Sequence, residues 1–573
     1  MAGSCALERI ERDLEQPKSE GRFWPVFAAA ITVTIMLAAV RWSLAHPYGI
    51  HWDEAQYLDD IGIDVQRLRS GLLLRLGGRI LLKSFGHPPA FRLLALPVLG
   101  LFGFHTVTAR LVSLTCFGLS AWFIYLATRR IGTPVAGAFA VLFFSLSPEV
   151  ISASIFFSTD APLYLATSAM LYYLFVCWTD GAEHPNNWIG LGLAIGLGFL
   201  SKASFVLIAF PVLAFWLVVS RYGYLGIPSP TSQRKAAALA LLVAGPWWLL
   251  NIKSAIAYAQ YARSFVRNSL GPPSLQTWTR WLSTVLQGLL GHSTSILIGL
   301  VAIACFHKVV IKREKILDPF KRTSLGVCAC AGLPIVVAQL SGTNHLLRHI
   351  SPAVIPLAVA VGILADASGW TRSVPAVAVS GILFCVQLLM IVAPVLSPNS
   401  HPVDLGFVNG VLPWRAMARF DQWDWKPVRE ISYGCGLHSP RISFLGGGRT
   451  LDPPQIEYPW VAQPTLTPHD AKLESPDVTW LWRYEDGPLD WQRVMDATGK
   501  SDIVLTAPQY IGEVANKEDL DNQHNADFAA RLSLDPLFRG PIRLEMGRFE
   551  PVEVWVFLKR DLVCQTGQEV ATE

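Results

Sequence analysis

A polytopic α-helical membrane protein is the fold class this sequence predicts, and three features predict it. Of 573 residues, 52% are hydrophobic and 16% are charged, with a mean hydropathy of +0.37 and 20 tryptophans, a balance too apolar for a soluble chain of this length. Apolar stretches near the ~20 residues needed to cross a bilayer recur up to residue 396. Lys and Arg collect in particular loops between those stretches, the pattern of chains whose cytoplasmic loops carry the positive excess. The formal charge of +4 is too small to suggest a nucleic-acid partner, so the partner expected from composition is the lipid membrane.

Residues 1–21 are polar and of mixed charge and read as a cytoplasmic tail. The apolar run Phe23–Ala45 ends in Ser43-Leu44-Ala45, which looks like a signal cleavage site. It is longer than a signal core and Arg41 interrupts its end, so an uncleaved first transmembrane helix is expected. Further spans are expected at 107–128, 134–157, 160–178, 187–201, 203–220, 236–252, 293–311, 323–341, 351–366 and 374–396, which makes about eleven. The stretch 89–103 is apolar but short, and Arg92 and Pro97 break it. With the eleven spans and residue 1 inside, the inner loops hold Arg129, Arg130, Arg221, Arg234, Lys235 and the cluster Lys308, Lys312, Arg313, Lys315, Lys321, Arg322. A crossing at 89–103 would move all of them outside. That stretch is therefore expected to be an interfacial or re-entrant helix within one outer loop, residues 46–106, of a membrane domain spanning 22–396.

The same count puts Asp53, Glu54, His87, Asp160, Lys202, the loop 253–292 and His345 to His349 on the non-cytoplasmic side. Ionisable groups at a membrane boundary are costly to desolvate and mark functional sites. The first of them, in His51-Trp52-Asp53-Glu54-Ala55-Gln56-Tyr57, open a segment that as a helix puts Asp53, Tyr57, Asp60 and Asp64 on one face. Ala55, Leu58, Gly62, Val65 and Leu68 fall on another, the pattern of a helix lying in the membrane surface with a wet acidic face.

From 397 to 573 the chain is polar and rich in Pro and Gly, and reads as a soluble α/β or α+β domain on the outer side. Ile503 to Leu505, Ile542 to Met546 and Val552 to Leu558 read as strands, the last two as a hairpin, and 520–532 as a helix. Gly446-Gly447-Gly448 lacks the spacing of a nucleotide-binding loop and reads as a turn. The nine cysteines show no metal spacing; Cys328 and Cys330 read as small core residues, and Cys435 and Cys564 as a disulfide pair of an oxidising compartment.

Several motifs recur in a particular order: Trp52-Asp53-Glu54-Ala55-Gln56-Tyr57, His87-Pro88-Pro89, Leu101-Phe102-Gly103, Ala109-Arg110-Leu111, Thr159-Asp160-Ala161-Pro162-Leu163, Ser201-Lys202, Gly245-Pro246-Trp247-Trp248, and Arg348-His349 before Pro352. In that order and sidedness the chain resembles the GT-C class of membrane glycosyltransferases. The nearest branch holds protein O-mannosyltransferases and the bacterial aminoarabinose and galacturonic acid transferases that modify lipid A. The resemblance spans roughly residues 20–360. It implies an inverting enzyme that takes one sugar from a polyprenyl-phosphate donor and passes it to a glycolipid, polysaccharide or protein acceptor at the outer face of the inner membrane.

On that reading Asp53 takes or orients the proton of the attacking hydroxyl. Glu54 supports it by position or hydrogen bonding, or is a solvated neighbour. Asp160, where Thr159 or Asp160 caps a helix, is a second cavity acid. Lys202 and Arg348, with His345, His349 and His87, face the leaving phosphate. Related lipid A transferases carry Lys where this chain has His87, and a neutral His holds phosphate less strongly. Arg263 and Arg267 read as surface charge. No divalent metal and no cofactor beyond the lipid-linked sugar is expected. The absence of Asn-x-Ser/Thr sites, together with the chain's length, points to a bacterial enzyme. The competing reading is a lipid-linked sugar flippase or transporter. Such proteins place ionisable groups near the midplane and carry inverted repeats, whereas here the charges lie at helix ends.

Overall fold

The computed structural model describes residues 23–46, 52–82, 87–179, 185–221, 230–270, 275–341, 347–396, 423–447, 451–462, 475–483, 487–510, 522–547 and 551–564. The helices up to residue 396 are α1 (Phe23–Ala45), α2 (Trp52–Arg69), α3 (Leu73–Leu82), α4 (Ala90–Phe102), α5 (Thr106–Ile131), α6 (Pro134–Ser145), α7 (Pro148–Ile155), α8 (Asp160–Thr179) and α9 (Pro185–Ser201). They continue with α10 (Val206–Arg221), α11 (Pro230–Leu270), α12 (Leu275–Thr284), α13 (His292–Phe306), α14 (Pro319–Ser341), α15 (Leu347–Ile350), α16 (Val354–Ala367) and α17 (Val374–Leu396). The chain is a multi-pass membrane protein.

Among the described residues, eight helical stretches are long and apolar enough to cross a bilayer, and α6 with α7 makes a ninth if the pair is one span bent by 66°. The bend falls at Ser147-Pro148, where proline has no N–H to continue the ladder. Two other expected spans are shorter helices, Asn187–Ser201 and Ala203–Val219. The helix stops at Ser201 because Lys202 is extended, with φ −156 and ψ 139. The expected count of about eleven is thus reached only by including these short segments.

Two ends of the bundle collect the charges that the loop analysis separates. At one end Lys321 Nζ lies 2.7 Å from Asp366 Oδ2, and Thr133 Oγ1 donates to Asp366 Oδ1 at 3.2 Å. At the other end lie Asp53, Asp160, Lys202 and Arg348.

Between α1 and α5, Leu58, Ile61 and Val65 of α2 pack on Phe91, Ala95 and Leu99 of α4. The acidic face of α2 is not wet as expected. Arg92 donates to Asp64 through Nε at 2.6 Å and Nη2 at 2.8 Å, and Arg79 reaches Asp64 at 2.8 Å and Asp60 at 2.6 Å. Asp64 and Arg92 are fully buried, because the platform folds its charges inward and pairs them. Arg92, which interrupts 89–103 as a span, is thereby what fastens α4 to α2.

The C-terminal part contains a five-stranded sheet of order β2-β1-β3-β5-β4, with β1 (Arg441–Phe444), β2 (Asp477–Trp480), β3 (Ile503–Thr506), β4 (Phe538–Met546) and β5 (Val552–Lys559). β1 runs parallel to β2 and β3, while β5 runs antiparallel to β3 and β4. Alternation along the strands feeds two cores. Ile442, Phe444, Ile503, Leu505, Val554 and Val556 face α18 (Lys426–Gly434) and α19 (Pro453–Ala462). Val504 and Phe557 face α20 (Trp491–Thr498) and α21 (Asn525–Leu534). Cys435 and Cys564 are disulfide-bonded across a sequence separation of 129.

Helix α19 docks on α2. Tyr458 OH and Thr106 Oγ1 are 2.6 Å apart, and Gln66 Nε2 donates to Val461 O at 2.9 Å. A Cβ at Gly62 would lie 2.1 Å from Val461 Cγ1, so glycine is what allows the approach. The same interface brings Glu457 near Asp59, Asp452 and Asp477, and Asp59 near Asp60, Asp64 and Arg79. Burial and the neighbouring acids push Asp59 up to about 7 and Glu457 up to about 9.

Two outcomes are expected. Without reductant the chain migrates faster in denaturing gels than after reduction, and Cys435→Ser removes the shift. Because the docked acids sit above the usual carboxylate range of about 4, the docked form holds the extra protons. Docking is therefore firmest below about pH 4 and weakens as pH rises from there through 7 to about 9. Hydrogen exchange of Pro453–Ala462 should quicken across that window, and Glu457→Gln should flatten the dependence.

Candidate active site

Glu54 and Arg110 form the scaffold of the site. Arg110 grips Glu54 with Nε on Oε1 and Nη2 on Oε2, both at 2.8 Å, and the Phe157 N–H donates to Oε1 at 3.0 Å. Arg110 also donates to His46 O and lies 5.3 Å from the Trp42 ring. Exposures of 0% and 1% make this a closed ion pair that joins the end of α1, the start of α2, α5 and the turn before α8. Glu54 is thus a positioning group, not a solvated neighbour.

The next carboxylate along α2 has a different setting. Asp53 pairs with Arg348 of α15 through Oδ2 and Nη1, at side-chain exposures of 28% and 33%. This pair is open where the Glu54 pair is closed. Arg348 Nε is buried and has no partner among the described residues.

Asp160 opens α8 and pairs with Lys202, Oδ1 to Nζ at 2.6 Å. Its own N–H bonds Ser158 Oγ at 3.2 Å, so a serine serves the helix start and the Asp160 side chain is spent on Lys202. The extended Lys202 backbone that ends α9 also turns this side chain towards Asp160.

His87 stacks edge-on to Tyr57 at 5.6 Å and Tyr258 at 4.6 Å, within electrostatic range of Asp53, Lys202, Arg348 and Asp160. Burial pushes it down to about 4 despite the acids, so it is neutral at physiological pH and meets a ligand as a hydrogen-bonding imidazole, not as a cation. His349 lies beside the same four charges. His345 and the side chains of Arg263 and Arg267 fall outside the described residues.

Three further groups belong to this cluster and were not singled out from the sequence. Burial and Asp53 raise the Tyr57 hydroxyl well above its ordinary range, leaving it a protonated donor. Tyr164 OH is bonded to Ser351 Oγ, and Ser351 donates to Arg348 O at 2.8 Å, which braces the Arg348 turn. Glu149, in the first turn of α7, lies in electrostatic range of Asp160 and Arg348. An acid inside the apolar run 134–157 is the sequence signal that could have found it. Among the described residues no three His, Cys, Asp or Glu side chains are grouped to hold a metal.

Residues 86–249 match a family model described as dolichyl-phosphate-mannose-protein mannosyltransferase, a stretch that contains His87, Asp160 and Lys202 but neither Asp53 nor Arg348. No curated protein matches the sequence. Among solved structures, ArnT from Cupriavidus metallidurans bound to undecaprenyl phosphate is similar over 93% of this chain and 98% of its own, at 15% identity and a TM-score of 0.52. Arabinofuranosyltransferase AftD from Mycobacteria is similar over 94% of this chain and 40% of its own, at 13% identity and a TM-score of 0.53. The Archaeoglobus fulgidus oligosaccharyltransferase is similar over 85% of this chain and 70% of its own, at 10% identity and a TM-score of 0.50. The fold is that of the GT-C membrane glycosyltransferases, as the ordered motifs implied.

Arg110→Met would strand the Glu54 carboxylate without its partner. Leaving one member of a buried pair alone costs ~3–5 kcal/mol, so the variant should lose most of its folded yield in detergent, by fluorescence-detected gel filtration, while Lys426→Met, at an exposed pair, keeps the wild-type profile.

Proposed function

We propose that this protein is an inverting glycosyltransferase that moves one sugar from a polyprenyl-phosphate donor to an acceptor at the outer face of the bacterial inner membrane. The observation that carries the reading is the meeting of Asp53 with Arg348 and Asp160 with Lys202 at one end of the bundle. ArnT from Cupriavidus metallidurans, whose fold this chain shares, was solved with undecaprenyl phosphate bound. The Cys435–Cys564 disulfide suits an oxidising, extracytoplasmic compartment for the C-terminal domain.

The donor phosphate enters between Lys202 and Arg348, where the guanidinium and the ammonium neutralise its oxygens. The acceptor oxygen attacks the anomeric carbon from the face opposite the phosphate, and Asp53 takes the hydroxyl proton as the new bond forms. The bond between that carbon and the phosphate oxygen breaks, its electron pair leaves with the phosphate, and polyprenyl phosphate is released. Asp160 holds Lys202 in place, and neutral His87 and protonated Tyr57 add hydrogen bonds without adding charge. These cations supply the leaving-group stabilisation, so the reaction as drawn uses no divalent metal. The acceptor class we favour is a glycolipid or polysaccharide.

Asp53→Asn keeps the shape of the site and removes the base. Transfer from radiolabelled polyprenyl-phosphate sugars should fall by ~10²–10⁴ with the gel-filtration profile unchanged. Full activity in that variant removes Asp53 from the mechanism. Glycolipid profiling of a strain lacking the chain identifies the acceptor.

A further inference from the structure

The carboxylates and cations around the site do not match in number. Arg348 is balanced by Asp53 and Lys202 by Asp160. Glu149 has no ion-pair or hydrogen-bond partner among the described residues, although it lies in range of Asp160, Arg348 and the Tyr164 hydroxyl. It is half-buried on α7, the helix on which α8, α15 and the 351–353 turn pack. The Ser147-Pro148 break between α6 and α7 is what puts it there, since a straight helix would carry the residue into the packed bundle. An unpaired acid in such a place costs free energy with nothing in the resting protein to offset it.

We propose that Glu149 reads the donor sugar, its carboxyl oxygens holding adjacent ring hydroxyls while Lys202 and Arg348 hold the phosphate. The inference rests on the donor reading above. A sugar whose phosphate lies on Lys202 and Arg348 brings its ring towards the remaining wall, and hydroxyls taken out of water there need partners. The cations are committed to phosphate and to Asp53 and Asp160, whereas both Glu149 oxygens are unspent. Both oxygens of a carboxyl group accept hydrogen bonds, and the protonated form adds an O–H donor, enough to bridge a vicinal pair of hydroxyls.

Binding of bare undecaprenyl phosphate and of undecaprenyl phosphate carrying mannose, glucose or arabinose to the full-length protein in detergent separates the two readings. Wild type should bind the bare carrier in a Lys202- and Arg348-dependent manner and favour one sugar-bearing form. Glu149→Ala should leave the bare carrier within about threefold of wild type and weaken the favoured sugar form by at least about tenfold. Glu149→Gln, which keeps the shape and half the acceptors, should recover most of that loss. Equal weakening of both ligands makes Glu149 a structural residue and overturns the proposal, as does an unchanged sugar preference or a wild type with none. A carrier that binds regardless of Lys202 and Arg348 overturns the donor reading instead.

Discussion

The ion pair between Glu54 and Arg110 is the constraint on which the site depends. With both side chains closed to solvent, its desolvation is tolerable only because the geometry is bidentate and the remaining lone pairs are taken up by the Phe157 N–H. That single guanidinium joins α2, α5 and the turn that leads into α8. Asp53 is the residue before Glu54 and Asp160 comes three after Phe157, so one buried contact places two carboxylates contributed by different parts of the chain. Of two adjacent acids, the one that looks redundant in the sequence holds the other in position.

A second ionic layer carries the platform beneath. Asp64 accepts from Arg92 and Arg79, which ties α2, α3 and α4 together. The C-terminal domain adds α19 on top, through Tyr458 on Thr106 and Val461 over Gly62. Its docking is tied to protons because Asp59 and Glu457 are buried near one another. The C-terminal domain is thus coupled to the helix that bears Asp53, although it is separated from it by several hundred residues.

In the resting molecule Asp53 with Arg348 and Asp160 with Lys202 neutralise one another pairwise. On the proposed reading, a phosphate entering between Lys202 and Arg348 shares cations that Asp53 and Asp160 already hold in place, so less reorganisation is needed than for free side chains. Burial keeps His87 uncharged, so on that reading the charge that meets the phosphate comes from Lys202 and Arg348.

Much of this was readable along the chain. Hydropathy set the class and most of the apolar helices, and it marked 89–103 as too short for a span, because bilayer thickness acts on local composition. Short apolar runs marked β3 and the β4–β5 hairpin, and the motif order marked Asp53, Asp160, Lys202 and Arg348. Pairing was not readable. The partners Glu54 and Arg110, Asp64 and Arg92, or Arg348 and Asp53 are far apart in sequence, and a helix face that reads as wet is dry once another element covers it. Helix α19 and strand β2 left no strong pattern because their apolar positions answer to neighbours brought in by the fold. Local chemistry determined which residues are costly at the membrane boundary; three-dimensional packing decided which counter-charge offsets that cost, and so which acid is scaffold and which is left open to react.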